Sequence, residues 1–160
     1  MYKIVHTVPC ADVAAKLAEK LDGSLAVSIE SVLSDPESLG DFVCLGLVFE
    51  RSERGVPSSV IEFIENVLGN YDLSDLEHMF SICVCEGSPA HALKIVEKLC
   101  SKVGCAPSLN VTLSPDGDIE GKIDAVVEKI RSGEIELAKG SLGTMFYMKA
   151  HGISMKRVRR

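Results

Sequence analysis

A chain of 160 residues, 46% of them hydrophobic, has the size of one domain and enough apolar side chain to bury a sizeable core. Its formal net charge of -6 gives a mildly acidic surface that repels the phosphates of nucleic acids and anionic membranes, so proteins or small molecules are the expected partners. No apolar run is long enough to cross a bilayer, and Met1-Tyr2-Lys3-Ile4-Val5-His6 is too short and polar-flanked for a signal peptide, which points to the cytoplasm.

The chain alternates short β-branched runs with longer stretches of helical period, separated by Gly, Pro, Ser or Asp, the pattern of successive βαβ units. A first strand is expected over residues 2–6, then a helix carrying Val13, Leu17 and Leu21 that stops at Asp22-Gly23. A second strand is expected over 24–30, and the following helix is degenerate, because 31–40 offers only a turn or a short helix around Asp35-Pro36-Glu37. The third strand, 42–49, is almost continuously apolar, as befits a central strand buried on both faces. Pro57 then opens a helix with Val60, Ile64, Val67 and Leu68 on one side.

A fourth strand is expected over 79–85. It leads into Glu86-Gly87-Ser88-Pro89, where Ser88 can cap and Pro89 can open a helix whose inner stripe is Leu93, Val96, Leu99, Cys100 and Val103, ending at Gly104. A fifth strand over 108–113 precedes a last helix capped by Asp118 and lined by Ile119, Ile123, Val126, Val127 and Ile130. Five strands with right-handed crossovers make an α/β domain, a doubly wound open parallel sheet over residues 1–133 with helices on both faces. Residues 134–160 read as an extension packing on the domain edge, open between closing over a pocket and forming a homodimer contact. It ends in a basic tail, Lys156-Arg157-Val158-Arg159-Arg160, read as solvated.

In a doubly wound sheet, ligands sit outside the carboxyl ends of the strands at the switch point, here the loops 7–12, 50–56 and 86–91. Three stretches carry a family resemblance: Lys3-Ile4-Val5 with Val13-Ala14-Ala15-Lys16-Leu17; Leu39 to Gly46 with Pro57 and Phe63; and Phe80 to Cys85 with Gly104. Over about four-fifths of its length the chain resembles the flavodoxin family. The resemblance implies strand order 2-1-3-4-5, a flavin mononucleotide (FMN) cofactor and electron transfer with a redox partner protein.

That family surrounds the FMN phosphate with a hydroxyl-rich loop, Ser/Thr-x-Thr-Gly-Asn-Thr, at a helix N-terminus. Here the loop reads Val5-His6-Thr7-Val8-Pro9-Cys10: Thr7 matches, Cys10 is a near-isostere of the last Thr, and the rest depart. Pro9 removes an N–H where a phosphate nest needs one, and Asp12 adds a charge of the wrong sign unless it turns away as a helix cap. The resemblance assigns the phosphate to Thr7, Val8, Cys10 and Ala11, and the ring to Phe49 and Glu50 on one side and to Glu86, Gly87, Ser88 and His91 on the other. Phe49 fits the core as well as it fits a ring face. Glu50 disfavours a negatively charged reduced flavin.

Other constellations read as structure. The six cysteines lie among Val, Leu and Ile in strand-like and helix-like runs, and are expected to be reduced thiols packing as small hydrophobes. Cys83 and Cys85, two apart on a strand, point to one face; Cys85, beside a helix N-terminus, is the thiol placed for reactivity. The four histidines have no metal-ligand spacing. The acidic cluster, strand-ending Asp and strand-ending Lys of receiver domains are not supplied by His6, Phe49-Glu50 and Ser114. Two functions follow: an FMN-binding electron carrier with no acid/base catalytic residue, and a flavin-free binding or assembly domain of the same fold, favoured by Pro9, Asp12 and an aromatic content of only 5% without Trp.

Overall fold

A computed structural model describes residues 2–52, 55–89 and 91–138. Its centre is an all-parallel five-stranded sheet in the order β2-β1-β3-β4-β5, the order that the resemblance implies. The strands are β1 (Tyr2–His6), β2 (Leu25–Ser28), β3 (Cys44–Glu50), β4 (His78–Val84) and β5 (Leu109–Leu113). In the central strands β3 and β4, only the first and last residues escape burial. That is the consequence of helices covering both faces.

The side-chain alternation of the strands divides the core in two. Ile4, Val48, Phe80 and Ile82 face α1 (Ala11–Lys20) and α5 (Ile119–Ser132), meeting Leu17, Ile123 and Val127. Val5, Leu45, Leu47, Phe49 and Cys83 face the other way, onto α2 (Ile29–Ser34), α3 (Ser58–Glu62) and α4 (Ala92–Lys102) through Val32, Val60, Phe63, Ile95 and Leu99. α3 continues through one π turn, Phe63–Val67, and a 3-10 turn, Leu68–Asn70, before Tyr71. Gly46 is required by packing, since it is paired with Phe80 across the β3–β4 ladder and a Cβ there would fall within the Phe80 ring.

Several boundaries depart from the sequence expectation for local reasons. Strand β2 stops at Ser28 rather than 30, because the Ser28 hydroxyl accepts from the Ser31 N–H at 3.2 Å and caps α2. The degenerate second crossover is thus one six-residue helix followed by a 3-10 turn, Pro36–Leu39. α4 begins at Ala92 with His91, not Ser88, at its N-cap, and the Ser88 carbonyl accepts from the Arg51 guanidinium. Asp118 does cap α5, accepting from Gly121 N–H at 3.0 Å, and Gly133 closes that helix in the left-handed conformation.

Beyond α5 the chain returns along the free edge of β5. Glu136 forms a parallel bridge with Leu109, its N–H donating to Ser108 O at 2.8 Å and its carbonyl accepting from Asn110 N–H at 3.0 Å. The rest of the extension, with the basic tail, lies outside the described residues. Among the described residues, no helix is long and apolar enough to cross a membrane.

Candidate functional site

The loop after β1 is a 3-10 turn, Val8–Cys10, set by Pro9 and running directly into α1. Its geometry uses the donors that a phosphate needs. Thr7 N–H donates to Val48 O at 3.1 Å, Cys10 N–H to Thr7 O at 3.0 Å, and Ala11 N–H to Val8 O, while Pro9 has none to give. The His6 Nδ1–H donates to the Thr7 carbonyl at 2.8 Å, so this ring nitrogen is also engaged within the loop.

The side chains at the loop are engaged by the end of β3. Glu50 lies beside the turn because β1 and β3 are adjacent and in register, His6 opposite Val48. Its carboxylate Oε2 accepts from the Thr7 hydroxyl and stands 3.8 Å from Cys10 Sγ. Thr7 and Cys10 are 2% and 1% exposed, so this contact is shielded from solvent on the side of the loop. Burial pushes the Cys10 thiol up to about 11, with the Glu50 charge adding to the rise and Thr7 opposing it. A thiol held protonated beside a carboxylate is a hydrogen-bond donor, not a nucleophile.

The expected ring-binding residues are dispersed. Phe49 is fully buried in the core beneath α3 and α4, which decides between its two expected roles: no face of its ring is open to a ligand. Glu86, Gly87 and Ser88 are exposed on the loop after β4, with Gly87 at a φ of 70°. The Glu86 carboxyl is held above its usual value by a hydrogen bond and like charge from Asp116, on the loop after β5. Cys83 and Cys85 do share a face; burial, then the neighbouring Cys85, raises the Cys83 thiol, and Cys85 Sγ lies 3.9 Å from the Gly87 carbonyl. Val8 and Pro9 project outward on the rim, Val8 at 60% exposure.

Two features were outside the sequence expectation. Arg51 ties the loops after β3 and β4 together through Ser88 O; its signal was a cation placed directly after the strand-ending Glu50. A cavity of about 410 Å³ lies along the edge of β5, lined by Ser88, Leu93, Val111, Thr112, Leu137 and Ala138 among others. Its wall includes Asn110, a buried amide whose Oδ1 accepts from Ser81 at 2.7 Å and whose Nδ2 donates to Glu136 O at 3.0 Å.

The group implied by the resemblance does not fit the loop after β1. An FMN phosphate there would meet the Glu50 carboxylate, and two unit charges about 4 Å apart repel by about 4 kcal/mol near a protein surface. One hydrogen bond from the Thr7 hydroxyl, about 1.5–3 kcal/mol to a charged group, does not offset that. Among the described residues, no group of three or more His, Cys, Asp or Glu is placed to hold a metal ion. No protein-family model matches the chain, and no curated protein sequence matches it. The sheet order and its helices are those of a flavodoxin-like α/β fold.

Proposed function

We propose that this protein is a flavin-free domain of flavodoxin-like fold that works as a binding or assembly module, its ancestral-type phosphate position taken over by its own Glu50. The observation that carries this reading is the engagement of the Thr7 hydroxyl by the Glu50 carboxylate, with the Cys10 thiol 3.8 Å from the same oxygen. A carboxylate supplied by the neighbouring strand satisfies the same donors that an external phosphate needs, at no cost in translational entropy. The internal anion therefore outcompetes a soluble one. The buried Phe49 and the 3-10 turn at Pro9 support the same conclusion independently, because they remove the ring platform and the amide nest.

The competing reading, an FMN-dependent electron carrier, shares the strand order and the location of the loops. The two are separated by adding excess FMN to purified protein, removing unbound flavin and recording the visible spectrum. The module reading expects a colourless protein with no change in thermal midpoint; stoichiometric retained flavin establishes the electron carrier instead. A Glu50→Gln variant in the same assay reports on the cause: retained flavin assigns the exclusion to the Glu50 charge, and none assigns it to Pro9 and the engaged amides.

A further inference from the structure

The end of α4 brings two thiols together. Val103 is the C-cap of that helix, Gly104 follows at a φ of 93°, and two backbone bonds close the turn: Cys105 N–H donates to Cys100 O at 3.0 Å and Gly104 N–H to Ser101 O at 3.3 Å. These are the 6→1 and 5→2 bonds of a Schellman motif, which sets the side chains of its first and sixth residues against each other, usually as an apolar contact. Here both residues are cysteines, and both are free thiols in the same core cluster.

The contact is made by the sulfurs. The Cys100 side chain is hydrogen-bonded to that of Cys105, and this bond, together with full burial, holds the Cys100 thiol well above its ordinary range. Cys100 therefore keeps its proton and does not begin a reaction. Cys105 is 7% exposed against 0% for Cys100, and it lines a cavity of about 240 Å³ with Leu73, Leu76, His78, Met79 and Ser108 among others. A small oxidant in that cavity meets Cys105, and Cys100 waits on the buried side.

The turn is also the right shape for a bridge. Cys83 and Cys85, two apart along extended chain, have α-carbons about 6.6 Å apart and parallel side chains, near the limit at which a disulfide closes. A turn closed by a 6→1 bond instead directs its two ends toward each other.

We infer that Cys100 and Cys105 form a redox pair, oxidised by a peroxide to an intramolecular disulfide that locks the end of α4 to the segment entering β5, and restored by a thiol reductant. Cys105, its proton given up to water, attacks one peroxide oxygen; the O–O bond breaks, hydroxide leaves and takes up a proton as water, and Cys105 becomes a sulfenic acid. The Cys100 sulfur then attacks that of Cys105, forming the S–S bond and breaking S–O, and its proton departs with the hydroxyl as a second water. Two thiols lose two electrons in all, and one hydrogen peroxide becomes two waters. None of this depends on whether the loop after β1 binds flavin.

The test uses the full chain, reduced, treated with hydrogen peroxide under native conditions, and then alkylated in denaturant. Two of the six thiols should be lost. Trypsin cuts between the two cysteines at Lys102, so mass spectrometry without reduction should find Leu99–Lys102 joined to Val103–Lys122, and dithiothreitol should separate them. Cys100→Ala should stop at a Cys105 sulfenic acid, captured by a 1,3-dione, whereas Cys105→Ala should leave Cys100 reduced. Retention of all six thiols by the native chain overturns the proposal, as does a bridge between Cys83 and Cys85 or any other pair. A 100–105 link that forms only after the native circular dichroism is lost overturns it as well.

Discussion

Two hollows border the same sheet, one at its carboxyl end and one along the edge of β5, and they have opposite fates. The one after β1 and β3 is filled from within, by a carboxylate on the Thr7 hydroxyl; the one between α4 and β5 is a cavity of about 410 Å³ along the edge of the sheet. Only the first lies at the switch point between β1 and β3, where a doubly wound sheet offers a ligand site. The topology provides the places, and single side chains shape them: Glu50 closes the first, while Glu97 accepts from Ala138 N–H at the wall of the second. Fold alone therefore does not transfer the cofactor.

The comparison can be broken at the sheet on which both clefts rest. Gly46→Ala places a methyl within the ring of Phe80, itself fully buried and unable to move aside, and should destabilise by about 3 kcal/mol, read as a loss in urea midpoint. A midpoint within experimental error of the native protein would mean that β3 and β4 are not packed as described.

Glu50→Ala should come next and act on the closed cleft alone. It leaves the Thr7 hydroxyl buried without its acceptor, a cost of about 1–3 kcal/mol. The double variant with Thr7→Val, which removes the stranded donor as well, should recover part of that loss, and strictly additive effects would argue against the contact.

On the open side, Ser81→Ala removes the donor to Asn110 Oδ1 in a buried pair and should cost about 1–2 kcal/mol. Because Asn110 also holds Glu136, exchange at the 134–138 segment should quicken in this variant while the loop after β1 keeps its protection.

The smallest effect sharpens the contrast by touching neither cleft. His78 lies at the amino end of β4, its Nδ1 3.3 Å from Ser108 Oγ, and burial lowers its pKa from the ordinary 6.5. The unfolded chain binds this proton more readily, so the contribution is fully present above pH 6.5 and is lost as pH falls through the lower folded value. Urea midpoints of wild type and His78→Gln, compared at successive pH values, should diverge in that window, with wild type losing more on acidification.

Much of the fold was legible because it depends on periodicity. The apolar run of β3 and the fourfold spacing of Val13, Leu17 and Leu21 fix a buried parallel strand and an amphipathic helix without knowledge of their partners. The Asp118 cap and the stop at Gly133 were equally local. The start of α4 was not: Ser88-Pro89 has the composition of a helix opening, yet the N-cap position falls at His91, three residues later. The site was less legible for the same reason. Pro9 announced a poor phosphate loop by itself, but the partnership of Thr7 with Glu50 spans 43 residues and exists only because β1 and β3 are neighbours. Phe49 could not be assigned to core or ligand until helices α3 and α4 were seen to cover it.

The central claim is that an internal carboxylate occupies the place of an external phosphate. The direct measurement is the visible spectrum of the purified protein after incubation with excess FMN and removal of free flavin. The account predicts no flavin absorbance above background; a yellow protein carrying one flavin per chain would contradict it.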